Sequence, residues 1–177
     1  MKDIYVLQMH TGTIPGVIIK FFTRYKYSHV LLSMDSSLSK MYSFGRKNIY
    51  NPLNAGFVIE DINGEFFNRF HKTQCRIYKI TINEEQYLKL SNILNEFETN
   101  KDVYRYDIIG LIFKYFFIPI KRKNHYVCSQ FVAEVLTQSN IAEFDKSISL
   151  VRPKDFEKLF GDNEIYSGLL GDAKRIV

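Results

Sequence analysis

The hydrophobic pattern alternates most regularly in the middle of the chain. Over residues 74–82, successive side chains fall into two sets, one with Cys75 and Ile77 and the other with Tyr78, Ile80 and Ile82. A period of two is typical of a β-strand. Shorter apolar runs predict strands at residues 3–9, 25–34, 40–45 and 57–60, and a further strand near 165–167. The runs at 27–34 and 40–45 are close enough in sequence to form a hairpin.

Three longer segments follow the helical period of three to four residues. Asn83 can cap a helix that runs to about Glu98, and a second, very apolar helix is predicted from Tyr104 to Phe117, entered through Asp107. The third helix begins near Cys128 and ends at Asn140. Shorter helices are expected at residues 14–24, after a cap at Asn63, and from Pro153.

The order of these elements predicts an α+β fold. The 177 residues contain no internal repeat, low-complexity segment or linker, so we expect one domain that spans residues 1–177. An apolar fraction of 46% is that of a globular protein and allows a sizeable core.

The charge of the chain argues against a nucleic-acid partner. The net charge is +5 and the isoelectric point is near 9.1, but the basic residues are spread along the sequence. No aromatic-and-basic recognition motif accompanies them, so solvated lysines explain most of the excess. We therefore expect no nucleic-acid binding.

The run from Ile108 to Ile120 is the most apolar segment. It contains Lys114 and Pro119 and is too short to cross a bilayer, so it predicts a buried helix or an interfacial segment. Contact with a membrane surface is compatible with it but not indicated. No signal peptide is recognisable before the first strand-like run, and we expect a cytoplasmic protein with reduced thiols.

Cysteine and histidine are few. Cys75 lies within the alternating strand pattern of residues 74–82 and is expected to be structural. The chain has four histidines and two cysteines, without the Cys-x-x-Cys or His-x-x-x-His spacing that preorganises a metal site. The sequence therefore predicts neither a metal site nor a cofactor.

Cys128 is the candidate nucleophile. It falls in the first turn of its predicted helix, where unpaired backbone N–H groups and the helix dipole favour the thiolate over the thiol. The alternative is a buried cysteine that acts as a small apolar side chain. A nucleophile needs a base, and His29, at the start of an apolar strand, is the candidate. Ser43, on the neighbouring predicted strand, is the polar residue best placed to hold the imidazole.

These motifs resemble a known family. The Tyr-Ser-His-Val-Leu-Leu-Ser-Met strand at 27–34 precedes the Cys-Ser-Gln-Phe-Val helix start at 128–132. This order, with His before Cys, resembles the circularly permuted branch of the NlpC-like, papain-fold superfamily. That branch includes bacterial hydrolase-like proteins and poxvirus relatives, and it is related to lecithin:retinol acyltransferase. The resemblance covers about residues 3 to 160.

The resemblance implies a papain-like antiparallel sheet or small barrel packed against helices, with the nucleophile at a helix N-terminus. It implies a cysteine hydrolase or acyltransferase that cleaves an amide or ester bond of a cell-wall peptide, an amino-acid amide or a lipid acyl group. Cys128 matches the nucleophile and His29 the base. The orienting third position falls at Ser43, with Glu60 as the alternative.

Two further predictions concern the substrate. Four residues are expected to contact the substrate: Gln8, His10, Tyr27 and Tyr126. Of these, Gln8 and His10 lie near the end of the first strand, where a donor for the oxyanion is expected. The alternative function is a non-catalytic module that binds a peptide, an amino acid or a lipid on the same fold. The sequence leaves the oligomeric state open.

Overall fold

The computed structural model describes residues 1–11, 25–48, 51 and 54–173. The helix predicted at residues 14–24 lies outside these residues. Within them the chain forms eight strands and six α-helices, which makes it an α+β protein. No helix in this part of the chain combines the length and the apolar character needed to cross a membrane.

The strands follow the chain in the order β1 to β8. Their bounds are Lys2–His10, His29–Ser33, Met41–Arg46, Ala55–Glu60, Gln74–Ile82, Arg105–Tyr106, His125–Tyr126 and Glu164–Leu169. The helices α1 to α6 are Glu65–Arg69, Glu84–Thr99, Ile108–Tyr115, Cys128–Gln138, Pro153–Phe160 and Leu170–Ala173. Two 3-10 turns, Ile148–Leu150 and Gly161–Asn163, flank α5.

The chain divides into two compact units. The first comprises Met1–Lys2, Tyr42–Ile59 and Ile82–Arg152, and the second Asp3–Met41, Glu60–Thr81 and Pro153–Val177, as far as these ranges are described.

Four strands of the second unit lie side by side in the order β2-β1-β5-β8. β1 and β2 are antiparallel, with Met9 opposite His29 and Leu7 opposite Leu31. β5 and β8 are also antiparallel, and their register shifts after Ile77. Residues directly opposite each other share a sheet face, so His29 shares the face of Met9, Leu7 and Leu31.

A core lies on this face of the second unit. Strands β1, β2 and β5 contribute alternate apolar residues to it, and α1 and α6 supply further ones. Its buried members include Leu7, Met9, Leu31, Phe67, Cys75, Ile77 and Leu170. In β5 the apolar side chains of both alternating sets are buried. Cys75 and Ile77 belong to this core, and Tyr78, Ile80 and Ile82, which follow the register shift, are buried as well.

The first unit holds the long helices. α2 packs against α4, and α4 also contacts the Ile148–Leu150 turn. A cluster of aromatic rings fills the space around α4: Phe97 stacks on Tyr104 at 4.5 Å between centroids and meets the edge of Phe131 at 4.9 Å. Phe131 is three residues beyond Cys128, so this packing fixes the start of α4 in position.

Most of the predicted elements are confirmed, with changed ends. β5 has the predicted bounds, and the late strand is present as β8. The predicted cap at Asn63 is wrong, because α1 begins after Gly64. The apolar helix is shorter than predicted: Tyr104 precedes β6 and is buried, and the helix ends at Tyr115.

Candidate functional site

Cys128 is the first residue of α4, in the first unit. The residue before it, Val127, has an extended backbone and its side chain makes no capping hydrogen bond. Cys128 is 5% exposed. The first-turn N–H groups and the helix dipole favour the thiolate, while burial of the sulfur favours the neutral thiol.

A buried polar cluster anchors the start of α4. Ser129 Oγ donates to the Val151 carbonyl at 2.6 Å. Lys114 Nζ, on α3, donates to the same carbonyl at 2.8 Å and to Ser129 Oγ at 3.2 Å. All three polar groups are buried or adjoin buried atoms, so leaving any of them unpaired is costly. The cluster ties α3 and the chain after the 3-10 turn to the residue next to Cys128.

Two phenols lie within electrostatic reach of the Cys128 sulfur. Burial raises the pKa of Tyr106 well above its ordinary value, and negative charge on Cys128 raises it further. Burial also raises the pKa of Tyr115. The charge of Arg152 lowers this pKa, and negative charge on Cys128 raises it. Both phenols therefore keep their protons at neutral pH, and a protonated phenol is a hydrogen-bond donor.

His29 opens β2 in the second unit. Its Nε2 lies 3.3 Å from Glu60 Oε1, and the two side chains are 19% and 14% exposed. Glu60 Oε2 is buried and accepts no hydrogen bond from the described residues. A carboxylate only accepts hydrogen bonds, so Nε2 donates, which fixes the tautomer and orientation of the ring.

The carboxylate of Glu60 is thus the observed partner of His29. Ser43, the orienting residue first predicted, lies in β3 in the first unit and is fully buried. Its catalytic role stays a prediction. Glu60, the alternative third member in the sequence analysis, is the last residue of β4.

Gln8 is fully buried in β1 and its amide is engaged on both sides. Nε2 donates to the Pro153 carbonyl, while Oε1 accepts from Tyr25 at 2.9 Å and from Tyr78 at 3.1 Å. Gln8 is opposite Val30 in the β1–β2 register, so it faces away from His29. The amide joins β1 to β5 and to the start of α5, and its predicted contact with substrate stays a prediction.

The other predicted substrate residues are partly or wholly buried. His10 ends β1 and is partly buried. Tyr27 is buried, and the Lys26 Nζ and Arg76 guanidinium lie 5.0 and 5.5 Å from its ring centre. Tyr126 is in β7, where its ring packs 5.1 Å from that of Phe44 and burial raises its pKa to about 12. Contact of these three with a substrate stays a prediction.

Cys75, like Cys128, is a buried free thiol, but it lies within a strand and not at a helix start. It is fully buried in the apolar core of the second unit. Burial raises the pKa of the Cys75 thiol to about 12, against a small opposing effect of Lys26. The two cysteines are not joined in a disulfide. Cys75 is therefore an unreactive core thiol at neutral pH.

The described residues contain no group of three or more His, Cys, Asp or Glu side chains placed to hold a metal ion. Comparisons of the chain with protein-family models, with curated proteins and with solved structures find no match.

Proposed function

We propose that this protein is a cysteine hydrolase or acyltransferase that acts on an amide or ester bond. Cys128 is the nucleophile, His29 the general base and Glu60 the residue that orients His29. The observation that carries the proposal is the contact of 3.3 Å between His29 Nε2 and Glu60 Oε1, both largely buried. A histidine held by a carboxylate is the base arrangement of nucleophilic hydrolases.

The tautomer defines which nitrogen takes the proton. Because Nε2 faces the carboxylate, proton transfer falls to Nδ1 of His29. Glu60 keeps the ring in one orientation and stabilises the imidazolium that forms. Serine has no charge to do so, which is why the carboxylate is the stronger candidate for the third member.

The reaction follows from these roles. His29 Nδ1 takes the Cys128 proton, and the sulfur attacks the carbonyl carbon to form a tetrahedral oxyanion. The C–N or C–O bond breaks as His29 gives the proton to the leaving amine or alcohol. Water then attacks the thioester and regenerates the thiol, which gives hydrolysis, or an amine or alcohol attacks and gives acyl transfer.

The oxyanion needs donors in a water-poor site. The Cys128 backbone N–H at the start of α4 is one, and the Tyr106 phenol, which keeps its proton, is the candidate for a second. The substrate classes remain those of the resemblance: a cell-wall peptide, an amino-acid amide or a lipid acyl group.

Three finer expectations belong to the same proposal. The α+β fold is of the permuted papain-like type, with β2 and α4 carrying the base and the nucleophile. The protein acts in the cytoplasm, where thiols stay reduced, and both of its cysteines are free of disulfides. The reaction requires no cofactor.

A panel of aryl esters and aryl amides tests the proposal. Wild type should release the aryl group with a burst that reports the thioester, and Cys128→Ala and His29→Ala should each lower kcat/KM by at least ~10³-fold. Glu60→Gln should lower it by as much as about 10⁴-fold, because the neutral amide removes the anionic partner and can hold the ring in the wrong tautomer. Cys75→Ala is the matched control and should retain turnover.

Ordinary turnover by Cys128→Ala would contradict the proposal. Stoichiometric binding of a panel member, with no turnover in wild type, would replace it with the binding module. Equal activity of Ser43→Ala and wild type, together with the loss in Glu60→Gln, would assign the third position to Glu60.

A further inference from the structure

The helix α3, Ile108–Tyr115, has the reverse of the usual arrangement of apolar and charged residues. Its charged side chain, Lys114, is the one that is buried, and it points to Ser129 and the Val151 carbonyl. Its isoleucines Ile108, Ile109 and Ile112 are 48 to 52% exposed. A helix of a globular protein normally turns its apolar stripe to the core and its charges to water.

The exposed apolar surface continues past the end of α3. Six side chains within eleven residues form what we call the apolar ridge: Ile108, Ile109, Ile112, Phe116, Phe117 and Ile118. They are 45 to 71% exposed and make up six of the thirteen large hydrophobic side chains that are exposed in the described part of the chain. On the helix, positions 108, 109, 112 and 116 fall within one stripe about 100° wide. These four residues of the ridge therefore share one face, and Phe117 and Ile118 follow it directly in the chain.

The backbone holds the ridge in this outward orientation. Phe117 has a φ of 59°, a left-handed conformation that is rare for a bulky residue. The Arg152 guanidinium lies 4.5 Å from its ring centre and donates to the Lys114 carbonyl at 2.7 Å. Arg152 thus covers one side of the Phe117 ring, while 71% of the residue stays exposed.

The charge beside the ridge has one sign. Residues 108–124 contain no acidic residue, and the basic turn Lys121, Arg122 and Lys123 follows the ridge. The carboxylates that pair with two of these cations are buried: Asp107, fully buried, pairs with Arg122 at 2.9 Å, and Glu134 pairs with Lys121 at 3.0 Å. Two of the three cations are thus ion-paired, and the exposed Lys123 gives the turn its net positive charge.

We propose that the apolar ridge and the basic turn dock the protein on an anionic lipid membrane. The exposed isoleucines and phenylalanines enter the boundary between headgroups and acyl chains, and the basic turn contacts anionic headgroups. With eight residues, α3 is about 12 Å long, so it lies in the surface. This proposal does not depend on the thiol chemistry.

The cationic turn selects lipid over a second copy of the chain. Two copies that met through their ridges would bring two basic turns together, and like charges across an interface oppose association. An anionic bilayer instead satisfies both parts of the surface, since each exposed cation near it adds attraction and each apolar side chain gains by leaving water.

Vesicle co-sedimentation of the full chain tests the proposal. Wild type should bind phosphatidylcholine vesicles that contain about 30% phosphatidylserine. Ile109→Gln, Ile112→Gln and Phe116→Gln combined should lower the partition coefficient roughly tenfold or more, because three inserted side chains become polar. The matched control combines Leu88→Gln, Leu159→Gln and Ile165→Gln, which are exposed apolar positions outside the ridge, and should bind as wild type does.

Charge is tested on the same vesicles. Binding should fall when salt is raised from about 0.1 M to about 0.5 M, and it should be much weaker on pure phosphatidylcholine. Circular dichroism should show that both triple variants are folded. No binding by folded wild type, equal binding to neutral vesicles, or unchanged binding by the ridge variant would each overturn the proposal. A concentration-dependent dimer that only the ridge variant loses would assign the ridge to a second copy instead.

Discussion

At the scale of single residues, surroundings decide what each cysteine can do. Cys75 lies in an apolar core, where burial raises the pKa of its thiol to about 12. Cys128 lies at a helix start, beside two phenols and the buried polar cluster that contains Lys114. The sequence predicted this difference, because a strand pattern surrounds the first thiol and a helix start surrounds the second.

Cys75→Ala tests the burial of the core thiol. A raised pKa gives stability that is complete below the unfolded value of about 8.5 and is lost as the pH rises towards 12. Between pH 8 and about 10.5, wild type should therefore lose up to about 2.5 kcal/mol more of its free energy of unfolding than Cys75→Ala does. Urea unfolding at several pH values measures this, and parallel curves for the two proteins would contradict it.

The partner of His29 shows where reasoning from sequence stops. The position of His29 at the start of a strand was predictable from the apolar run that follows it. Its contact with Glu60 spans 31 residues and depends on how two strand ends meet, which periodicity does not encode. The predicted hairpin places Ser43 on the strand next to that of His29, but a neighbouring strand does not by itself imply a side-chain contact.

At the scale of secondary-structure elements, the sequence predicted best those features whose residues lie close together in the chain. Asn83 caps α2 with a complete capping box, in which its side chain accepts from Gln86 N at 2.8 Å and the Gln86 side chain accepts from Asn83 N at 3.0 Å. Such caps are visible in the sequence because both partners lie within four residues. The outward apolar face of α3 was not visible, because the buried contacts of Lys114 lie 15 and 37 residues away.

Substitution of two buried serines, Ser129 at the start of α4 and Ser139 just after its end, tests how the polar cluster anchors the helix. Ser129→Ala removes the hydroxyl that donates to the Val151 carbonyl and accepts from Lys114, and should lower the free energy of unfolding by about 1–3 kcal/mol. Ser139, fully buried at the end of α4, makes no side-chain hydrogen bond with the described residues. Ser139→Ala should therefore be nearly neutral or stabilising. Equal changes in the free energy of unfolding of the two variants would show that the hydrogen bonds of Ser129 add nothing to stability.

At the scale of the whole molecule, networks of ionisable groups limit the pH range of stability. In the second unit, Glu157 accepts from Tyr25 at 2.7 Å and pairs with Arg76. The hydrogen bonds from Tyr25 and then Arg76 lower the pKa of Glu157. Burial, in turn, raises the pKa of Tyr78 to about 12 and that of Tyr25 further. Maximal stability is expected between these two limits.

The acid limit has a definite sign. A lowered pKa gives stability that is present above the unfolded value of about 4.3 and is lost as the pH falls through the folded value. Glu157→Gln should therefore flatten the loss of stability below about pH 5. Thermal unfolding across this range measures it, with Glu143→Gln at an exposed position as the control. An acid limb as steep in Glu157→Gln as in wild type would refute the assignment.

The alkaline limit has the opposite sign. Raised tyrosine pKa values give stability that is complete below about pH 10 and is lost as the pH rises through the folded values. Tyr78→Phe should lower stability at neutral pH, because Gln8 loses a donor, yet reduce the further loss above about pH 10. Unfolding curves at neutral and alkaline pH separate the two effects, and an unchanged alkaline loss would argue against burial of this phenol.

The central claim is that His29 activates Cys128. The most direct measurement is the pH profile of Cys128 alkylation by iodoacetamide, followed by mass spectrometry, with the midpoint rather than the rate as the readout because the thiol is 5% exposed. The midpoint in wild type should lie at least one pH unit below the value of about 8.5 for a free thiol, and His29→Ala should move it upward. A midpoint at or above about 8.5 that is the same in both proteins would contradict the claim.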